Sequence, residues 1–486
     1  MEENLEFDVV IIGSGLAGIY CALSLDENMK IAILSNGSID ETNSYLAQGG
    51  VAAPVGVNDS AISHFNDTMS CGHFRNHEDA VKQLTECAKD EIDALIKLGV
   101  KFDLKSDGSF ELGMEGAHSC ARILRIGDYT GKSIMESLLS KVKERGNITR
   151  IDQGIVYALD NHQVHVLVDG GMHSINTNVT VIATGGMGRL YSRSSNNPKI
   201  TGDGIALALQ AEIKVSHLNW IQFHPTVFYN TEGPQMGFLI SEAVRGDGAY
   251  LLNEKGERFM TKYHQMLELA PRDIVSSAIL NELKHQENPY VWLDVRHIGN
   301  EKMAKRFPTI YTHCRNLGLD LDQDLIPVAP GAHYAMGGIK VDLNGRTSKS
   351  DIYAIGECAY TGVHGKNRLA SNSLLEAIVF AKKAAKDIMR MNRKHERVIQ
   401  IHSDHTNKIP HYDVEIKSLS TWMDLNMGIE KNYAEITVMK AKLDQLLKNP
   451  VSYEVVNIRD IKTNNALIVM KEMLIQALQE YEDEKK

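Results

Sequence analysis

The amino-terminal part of the chain alternates apolar strands with a glycine-rich loop. Residues 7–12 form a continuous apolar run, which is typical of a parallel strand buried on both faces. The next six residues read Gly-Ser-Gly-Leu-Ala-Gly, and an apolar helical stretch then leads to a second predicted strand at residues 31–34. The pattern therefore predicts a βαβ unit of the Rossmann type.

Two later apolar runs are predicted to be strands of the same sheet. One covers residues 179–182 and ends in a glycine turn, and the other covers residues 351–355 and precedes Gly-Glu. Between them, roughly over residues 217–334, the pattern changes to polar loops, short helices and isolated strands, as expected of an inserted domain. Pro271 is predicted at the first position of a helix in this region.

The carboxyl-terminal region shows helical patterning, with long helices predicted at residues 433–448 and 453–480 that pack as a small bundle. We therefore expect an α/β fold: a Rossmann-like domain with an inserted α+β capping domain and a C-terminal helical bundle. The predicted boundaries are residues 1–217 and 335–399 for the dinucleotide-binding domain, 218–334 for the capping domain and 400–486 for the helical domain.

Composition narrows the range of partners. The 486 residues carry a formal net charge of −10, so an anionic ligand requires a local cluster of Arg and His, and no basic footprint for nucleic acid is present. The six cysteines are scattered without a C-x-x-C pair, as in proteins of a reducing compartment. The acidic amino terminus matches no targeting signal and no apolar run approaches a membrane span, so we expect a cytoplasmic protein.

The sequence predicts no metal site. Cys71, His73 and His77 have a suggestive spacing, but no second pair of ligands stands nearby. The three histidines between residues 402 and 411 are interpreted as solvated side chains of a linker.

The glycine loop at residues 13–18 predicts a dinucleotide cofactor. Its glycines allow a tight turn and a close approach of the backbone, and the pyrophosphate sits on the amino terminus of the following helix. Ser35 ends the second strand, where a Rossmann site usually has an acidic residue for the ribose. Whether Glu41 takes that role stays open.

A second helix amino terminus favours a flavin over a nicotinamide cofactor. Arg368 directly precedes Leu-Ala-Ser-Asn-Ser, and Ser371, Asn372 or Ser373 can cap the long amphipathic helix that follows. The dipole of such a helix stabilises the anionic reduced form of a flavin near its pyrimidine edge. Together with the late strand that ends at Glu357, this pattern favours FAD over NAD.

Four polar islands in and beside the inserted region predict a substrate site. Each island carries His, Arg or a hydroxyl group, and planar guanidinium groups bind carboxylates in bidentate fashion. A small dicarboxylate is therefore the expected ligand. The residues concerned are Gln222, His224, Ser241, Glu242, Arg245, Arg272 and His333.

These motifs together resemble one flavoprotein family. The chain is similar over nearly its whole length to the succinate dehydrogenase, fumarate reductase and L-aspartate oxidase flavoproteins. The resemblance implies an FAD domain split by a mobile capping domain, followed by a C-terminal three-helix domain. The motifs that carry it are residues 13–18, Ala-Gln-Gly-Gly at 47–50, Glu-Gly-x-His at 115–118, and residues 222–226, 241–246, 270–273, 330–338 and 364–376.

Within this family the resemblance is strongest to the L-aspartate oxidases. It implies oxidation of L-aspartate to iminoaspartate, with hydride transfer from Cα to flavin N5 and reoxidation by oxygen or fumarate. This reaction is the first step of NAD biosynthesis through the quinolinate branch, and a quinolinate synthase is a candidate recipient of the product. A soluble fumarate reductase or succinate dehydrogenase flavoprotein is the alternative of the same fold. A catalytically silent flavoprotein is the alternative of a different class.

The resemblance also implies roles for individual residues. Glu115 would face the substrate amine, which favours an amino acid over succinate. Arg272 matches the arginine that shuttles a proton in fumarate reductases, and whether it acts as a base or as an electrostatic clamp stays open because guanidinium is essentially always protonated. His224, Ser241, His333 and Arg368 would hold the two carboxylates, with Gln222, Glu242 and Arg245 nearby.

Cofactor contacts follow from the same resemblance. Membrane-bound succinate dehydrogenases attach FAD through a histidine before the Ala-Gln-Gly-Gly element, whereas this chain has Asn-Ser-Tyr-Leu there, so noncovalent FAD is expected. In the helical region Glu430 and Lys431 replace the more usual Val-Arg of the family. The implied FAD contacts are Gly13, Ser14, Gly15, Leu16, Ala17, Gly18, Ser35, Asn43, Ser44, Ala47, Gln48, Gly49, Gly50, Asp203, Glu357, Ser373 and Leu374.

Overall fold

The computed structural model describes residues 5–38, 41–160, 162–231, 237–392 and 408–486. Its α-helices are α1 Leu16–Ser24, α2 Asn43–Leu46, α3 Ala61–Cys71, α4 Glu78–Lys97, α5 Thr130–Glu144, α6 Asp203–Gln210, α7 Glu242–Gly246, α8 Arg272–Leu283, α9 Asn300–Arg306, α10 Pro308–Asn316, α11 Asn372–Asn392, α12 Ile416–Asn426, α13 Tyr433–Lys448 and α14 Ile458–Glu484. Its strands are β1 Leu5–Ile12, β2 Ile31–Leu34, β3 Val51–Ala52, β4 Ile123–Leu124, β5 Ile148–Ile151, β6 Ile155–Asp160, β7 Gln163–Val168, β8 Gly171–Ile182, β9 Val215–Ser216, β10 Ile221–Phe228, β11 Tyr250–Leu252, β12 Val291–Asp294, β13 Ile326–Ala335, β14 Gly338–Lys340, β15 Ile352–Ala354, β16 Ala359–Tyr360, β17 Lys408–His411 and β18 Ser452–Val455.

The largest sheet contains the predicted βαβ unit. Its order is β5-β2-β1-β8-β7-β6, and β15 pairs with β8. Val10 of β1 lies opposite Ala32 of β2 on one side and Thr180 of β8 on the other, both in parallel register. Because β15 also runs parallel to β8, the carboxyl ends of β1, β2, β8 and β15 meet at one edge, where ligands bind in open α/β sheets.

A second sheet of antiparallel strands, β10-β13-β12-β11, carries the middle of the chain. Phe259, Val275, Ile279 and Leu293 belong to a separate hydrophobic core between this sheet and its helices. The predicted position of Pro271 is wrong by one residue. Its ψ of 148° is extended, so Pro271 is the N-cap and Arg272 is the first residue of α8.

The carboxyl-terminal region contains α12, α13 and α14. The prediction of a helix from residue 453 is wrong, because residues 452–455 form β18, which pairs in antiparallel register with β17, and Asn457 caps α14. Tyr453 and Val455 alternate with polar residues, a period of two that suits a strand. Of the linker histidines, those at 402 and 405 lie outside the described residues, as does the predicted boundary at residue 400.

The core of this region is shared with the rest of the molecule. Leu467 and Met470 of α14 belong to the same hydrophobic cluster as Ile205 of α6 and Leu218. The division into three domains therefore stays a prediction, since α14 packs directly onto α6. Over the residues that the structure describes, no helix combines the length and apolar character needed to cross a membrane.

Candidate active site

One large cavity lies at the carboxyl edge of the main sheet. Its volume is about 1060 Å³, and it extends from the glycine loop after β1 to the helices and strands of the second sheet. The predicted residues that line it are Gly13, Ser14, Gly15, Leu16, Ala17, Ser35, Asn43, Ser44, Ala47, Gln48, Gly49, Gly50, Glu115, Asp203, His224, Ser241, Glu242, Arg272, His333, Glu357, Arg368, Ser373 and Leu374. The residues that line the cavity do not include Gly18, Gln222 or Arg245.

The glycine loop at one end of the cavity depends on the absence of side chains. Gly13 has φ +119°, and a Cβ there would lie 2.1 Å from the carbonyl oxygen of Ala183. A Cβ on Gly18 would lie 2.1 Å from the carbonyl oxygen of Gly13, which explains why Gly18 is needed without facing the cavity. Helix α1 starts at Leu16 with no side-chain cap from Gly15, as in helices whose amino terminus binds a phosphate.

Ser35 and Glu41 lie close together beyond this loop. Ser35 Oγ is 2.8 Å from Ser14 Oγ and donates a hydrogen bond to the carbonyl oxygen of Gly37 at 2.7 Å. Glu41 also lines the cavity, and its Oε2 is paired with Lys199 Nζ at 2.6 Å. The structure thus brings Glu41, which the sequence left unassigned, to the cavity wall beside Ser35.

Several buried polar atoms of cavity-lining residues accept no hydrogen bond from the described part of the chain. They are Gln48 Oε1, Thr184 Oγ1 and Asn196 Oδ1. Buried polar groups are normally paired, so such atoms favour a polar ligand in the cavity. Together with the glycine loop, they fit a dinucleotide cofactor.

Helix α11 brings its amino terminus to the middle of the cavity. Each of the three residues predicted as caps has another partner: Ser371 Oγ donates to Glu115 Oε2 at 2.6 Å, Asn372 Oδ1 lies 2.7 Å from His64 Nε2, and Ser373 Oγ accepts from Arg368 at 2.8 Å. The positive end of the dipole of this 21-residue helix therefore faces the cavity where Ser373 and Leu374 line it.

Two acidic residues flank the cofactor end. Glu357 accepts a hydrogen bond from the amide of Ala335 at 3.0 Å, and burial raises the pKa of its carboxyl to about 7. Asp203 starts α6 and accepts a hydrogen bond from Asn465 Nδ2 at 3.1 Å, while its other oxygen pairs with Lys462. A residue of α14 thus reaches a predicted cofactor contact.

Two arginines converge at the other end of the cavity. Arg272 Nη1 and Arg368 Nε both donate to Gln222 Oε1, at 3.0 and 3.3 Å. The guanidinium of Arg368 also lies 4.6 Å from the ring centroid of Tyr334. Burial, and next the charge of Arg272, lower the pKa of Arg368 to about 10. Two buried cations held by one amide oxygen form a binding site for an anion.

Glu242 balances part of this positive charge. Arg272 Nε donates to Glu242 Oε2 at 2.6 Å, and Arg245 Nη2 lies 3.7 Å from the same oxygen. Burial by itself raises the pKa of Glu242, but the charges of Arg272 and Arg245 outweigh it, so the pKa lies below its ordinary value. Glu242 is therefore ionised, and it also accepts the amide of Gly116 at 2.8 Å.

Two histidines complete the polar wall. The rings of His224 and His333 are 5.0 Å apart between centroids. Burial lowers the pKa of both well below the ordinary value, and Arg272 and Arg368 reinforce the effect. His224 Nδ1 accepts the amide of Thr226 at 3.2 Å, so the neutral ring carries its proton on Nε2. Within the described residues, this buried Nε2 has no partner.

Glu115 lies between the cofactor end and the substrate end. Besides accepting from Ser371, it lies close enough to Gly49 that a Cβ there would be 3.4 Å from Glu115 Oε1. Glu115 is 4% exposed, and burial together with the carboxylate of Glu242 raises the pKa of its carboxyl. A carboxyl in this position is suited to bind a cation of the substrate.

Sequence reasoning missed several lining residues. Ser195 Oγ lies 2.6 Å from His333 Nδ1, and Asn196 Nδ2 donates to the carbonyl oxygen of His333 at 2.8 Å. Tyr334 lies in the motif at residues 330–338, but the sequence predicted no role for it. Arg189, to which the sequence assigned no role, lines the cavity and donates to the carbonyl oxygen of Asn196 at 2.6 Å.

Comparison with known proteins places the chain in a family. Residues 8–374 match the family described as FAD binding domain. An L-aspartate oxidase of Clostridium acetobutylicum is 44% identical over 390 residues, 79% of this chain and 88% of that protein. One from Acinetobacter baylyi is 39% identical over 462 residues, 92% and 84% of the two chains. The structure of a quinol fumarate reductase from E. coli superposes with a TM-score of 0.85 at 26% identity, covering 98% of this chain and 88% of that chain. The chain thus belongs to the L-aspartate oxidase family and is an FAD-dependent oxidoreductase.

Proposed function

We propose that this protein oxidises L-aspartate to iminoaspartate with noncovalent FAD as the cofactor. The observation that carries the proposal is the position of Glu115, a buried carboxyl beside two convergent arginines and two neutral histidines. A dicarboxylate needs the arginines and histidines, whereas only a substrate with an amine needs the additional acidic group. The names of the relatives agree, since they are L-aspartate oxidases at 39 to 44% identity.

The arginines bind the substrate carboxylates. Arg272 and Arg368 share Gln222 Oε1 and both line the cavity, so a ligand in the cavity can contact both. Planar guanidinium groups with several donors suit bidentate contacts to carboxylates. In this role Arg272 is an electrostatic clamp, and its ion pair with Glu242 holds its orientation.

The histidines act as neutral hydrogen-bond donors. His224 offers the proton on Nε2, and His333 is oriented by Ser195. Because both are neutral near pH 7, they stabilise a carboxylate without adding to the repulsion between the arginines. Ser241 contributes a hydroxyl at the start of α7, where its side chain also accepts the amide of Ala243.

Glu115 binds the substrate amine and thereby presents Cα to the cofactor. Bound FAD supplies the hydride acceptor at N5. The raised pKa of Glu115 falls again when an ammonium group binds beside it, so binding and ionisation of Glu115 reinforce each other. We place the reaction at the first step of NAD biosynthesis, with oxygen or fumarate as electron acceptor and a quinolinate synthase as the consumer of iminoaspartate.

The absence of a histidine from residues 43–50 supports noncovalent FAD. Acid precipitation of the purified protein should release the flavin into the supernatant. Flavin that stays with the precipitate would contradict this part of the proposal.

Anaerobic mixing with L-aspartate, D-aspartate and succinate tests the reaction. We expect the flavin absorbance to bleach with L-aspartate only, because the amine must meet Glu115 while both carboxylates meet the arginines. Bleaching by succinate alone would instead support the alternative, a soluble succinate dehydrogenase or fumarate reductase flavoprotein. The structural similarity to a quinol fumarate reductase is the reason for testing this alternative. A silent flavoprotein would retain FAD and respond to none of the three.

A further inference from the structure

The carboxyl-terminal helix α14 reaches two segments that lead into the substrate site. Glu480 Oε1 accepts a hydrogen bond from Trp220 Nε1 at 3.0 Å and forms an ion pair with Lys366 Nζ at 2.6 Å. Its other oxygen accepts a hydrogen bond from Asn219 Nδ2. Three donors from two distant parts of the chain thus meet one carboxylate.

Neighbouring contacts reinforce this junction. Lys366 Nζ also pairs with Glu484 Oε1 at 2.9 Å, and Gln476 Oε1 accepts the amide of Leu218 at 2.7 Å. Trp220 is 9% exposed, so its indole N–H is satisfied by a protein partner rather than by bulk water. Loss of the Glu480 carboxylate would leave a buried donor unpaired.

Both segments continue directly into the substrate site. Gln222 follows Trp220 by two residues, and Arg368 follows Lys366 by two. Between them, Gln222 Nε2 donates to Asn367 Oδ1 at 2.7 Å and to the carbonyl oxygen of Arg368 at 2.8 Å. A shift of either segment therefore moves the oxygen that orients both Arg272 and Arg368.

A backbone hydrogen bond at the same place joins the chain at the start of β10 to the chain at the end of β13, two neighbouring strands of the second sheet. The amide of Met336, just after β13, donates to the carbonyl oxygen of Trp220, just before β10, at 3.0 Å. The chain that enters β10 and the chain that leaves β13 are thus held together beside Glu480. A second tie runs from the same region, where Glu430 Oε1 pairs with Lys284 Nζ near the end of α8 at 2.5 Å.

We propose that Glu480 is a positioning residue that couples the carboxyl-terminal helix to substrate binding. By holding Trp220 and Lys366, it sets the spacing of Gln222 and Arg368 and thereby the geometry of the carboxylate site. It does not line the cavity and contacts no predicted cofactor residue. Its influence falls on substrate affinity rather than on FAD binding.

The test compares Glu480→Ala and Glu480→Gln with the wild-type holoenzyme. Glu480→Ala removes all three contacts, whereas Glu480→Gln keeps one amide oxygen as an acceptor and loses the charge that Lys366 needs. The matched control is Glu482→Ala, which removes a charge from an exposed position of the same helix. The measurements are KM and kcat for L-aspartate, the succinate dissociation constant from the flavin spectrum, FAD content and melting temperature.

We expect KM for L-aspartate and the succinate dissociation constant to rise about tenfold in Glu480→Ala, a loss of the size of one to two hydrogen bonds. Glu480→Gln should be intermediate, kcat should stay within threefold, and FAD content should match that of the wild type. Glu482→Ala should behave as the wild type.

Two outcomes would overturn the proposal. One is an unchanged succinate dissociation constant in Glu480→Ala. The other is a loss of FAD and of thermal stability with unchanged KM, which would show a purely structural role. The kinetic readout rests on the proposed function, but the succinate measurement does not. A wild-type enzyme that binds succinate and fails to oxidise L-aspartate would therefore refute the proposed function and leave the role of Glu480 testable.

Discussion

The two ends of the cavity are formed by different parts of the residues, backbone atoms at one end and side chains at the other. The cofactor end is formed largely by backbone: the glycine loop at residues 13–18 and the amino termini of α1 and α11. The substrate end is formed by side chains, namely Gln222, Arg272, Arg368 and Glu242, from segments far apart in the sequence. Changes at the cofactor end should therefore affect FAD binding, and changes at the substrate end should affect turnover and specificity.

The largest effect is expected from Arg272→Lys. The change keeps a positive charge but removes the fixed fork that bonds Gln222 and Glu242 simultaneously, so the carboxylate clamp is lost. We expect kcat/KM for L-aspartate to fall by about 10³-fold, as for the loss of a preorganised donor, while FAD stays bound. Steady-state kinetics and the visible spectrum measure the two quantities.

Arg315→Lys, at a half-exposed surface position, is the matched control for this change and should leave kinetics unaltered. A rate within tenfold of the wild type in Arg272→Lys would remove Arg272 from the substrate site. Loss of FAD in the same variant would contradict the expectation that changes at the substrate end leave FAD binding intact.

The next largest effect is expected from Gly13→Ala. The added Cβ would overlap the carbonyl oxygen of Ala183 at 2.1 Å, and φ of +119° disfavours any side chain. We expect the FAD dissociation constant to rise by about 100-fold, or roughly 3 kcal/mol, because the loop must shift to relieve the overlap. Excess FAD should restore turnover with the KM for L-aspartate unchanged. Gly146→Ala, which adds a Cβ in open space at an exposed site, is the control.

Glu115→Gln should change substrate preference. Removing the charge leaves the substrate ammonium group without its partner, so kcat/KM for L-aspartate should fall about 10²-fold. Succinate should bind at least as tightly as in the wild type, because it has no ammonium group that depends on Glu115. Kinetics with L-aspartate and spectral titration with succinate measure the preference between the two compounds. Glu111→Gln, a change at a more exposed position of the same segment, should leave this preference unchanged.

The smallest effect for any one residue concerns pH and involves four buried histidines. Burial lowers the pKa of His64 to about 3 and that of His118 to about 4, and it holds His224 and His333 well below 6.5. Below pH 6.5 the unfolded chain binds protons that these folded histidines do not, so the free energy of unfolding falls as pH decreases. The expected loss is up to about 1.4 kcal/mol per histidine and pH unit.

Thermal melts between pH 7 and 5.5 measure this dependence. In His118→Gln the melting temperature should depend less on pH, by the contribution of one histidine. Succinate should weaken the pH dependence further, because a bound dicarboxylate favours protonation of His224 and His333 only. A pH dependence in His118→Gln identical to that of the wild type would contradict the neutral state of this buried histidine.

Local patterns predicted the fold more completely than the substrate site. The bounds of α13 and of β2 agree with the predicted ranges, and β1, β8 and β15 lie in one sheet as expected. The start of α14 was wrong, because residues 452–455 find a strand partner in β17 that no local pattern reveals. Pro271 was displaced by one position because its fixed φ suits both an N-cap and a first helical residue.

Dependence on tertiary contacts also explains which contacts of the site residues the sequence did not predict. Ser371, Asn372 or Ser373 was predicted to cap the helix, and which of them does so stays a prediction; their contacts with Glu115, His64 and Arg368 arise only by folding. Ser195 lies in no predicted motif, and Tyr334 lies in the motif at residues 330–338 without a predicted role. Their contacts with His333 and Arg368 arise only in the folded structure.

By itself, the sequence determined the βαβ unit, the glycine loop and the identities of the charged groups near the cavity, because glycine content and apolar period act over a few neighbouring residues. Tertiary structure alone decided that Arg272 and Arg368 share one amide oxygen, that Glu115 accepts a hydrogen bond from Ser371, and that Glu480 ties the carboxyl-terminal helix to both segments. These contacts join residues dozens to hundreds of positions apart. Their distances are set by how sheets and helices pack, which no local pattern encodes.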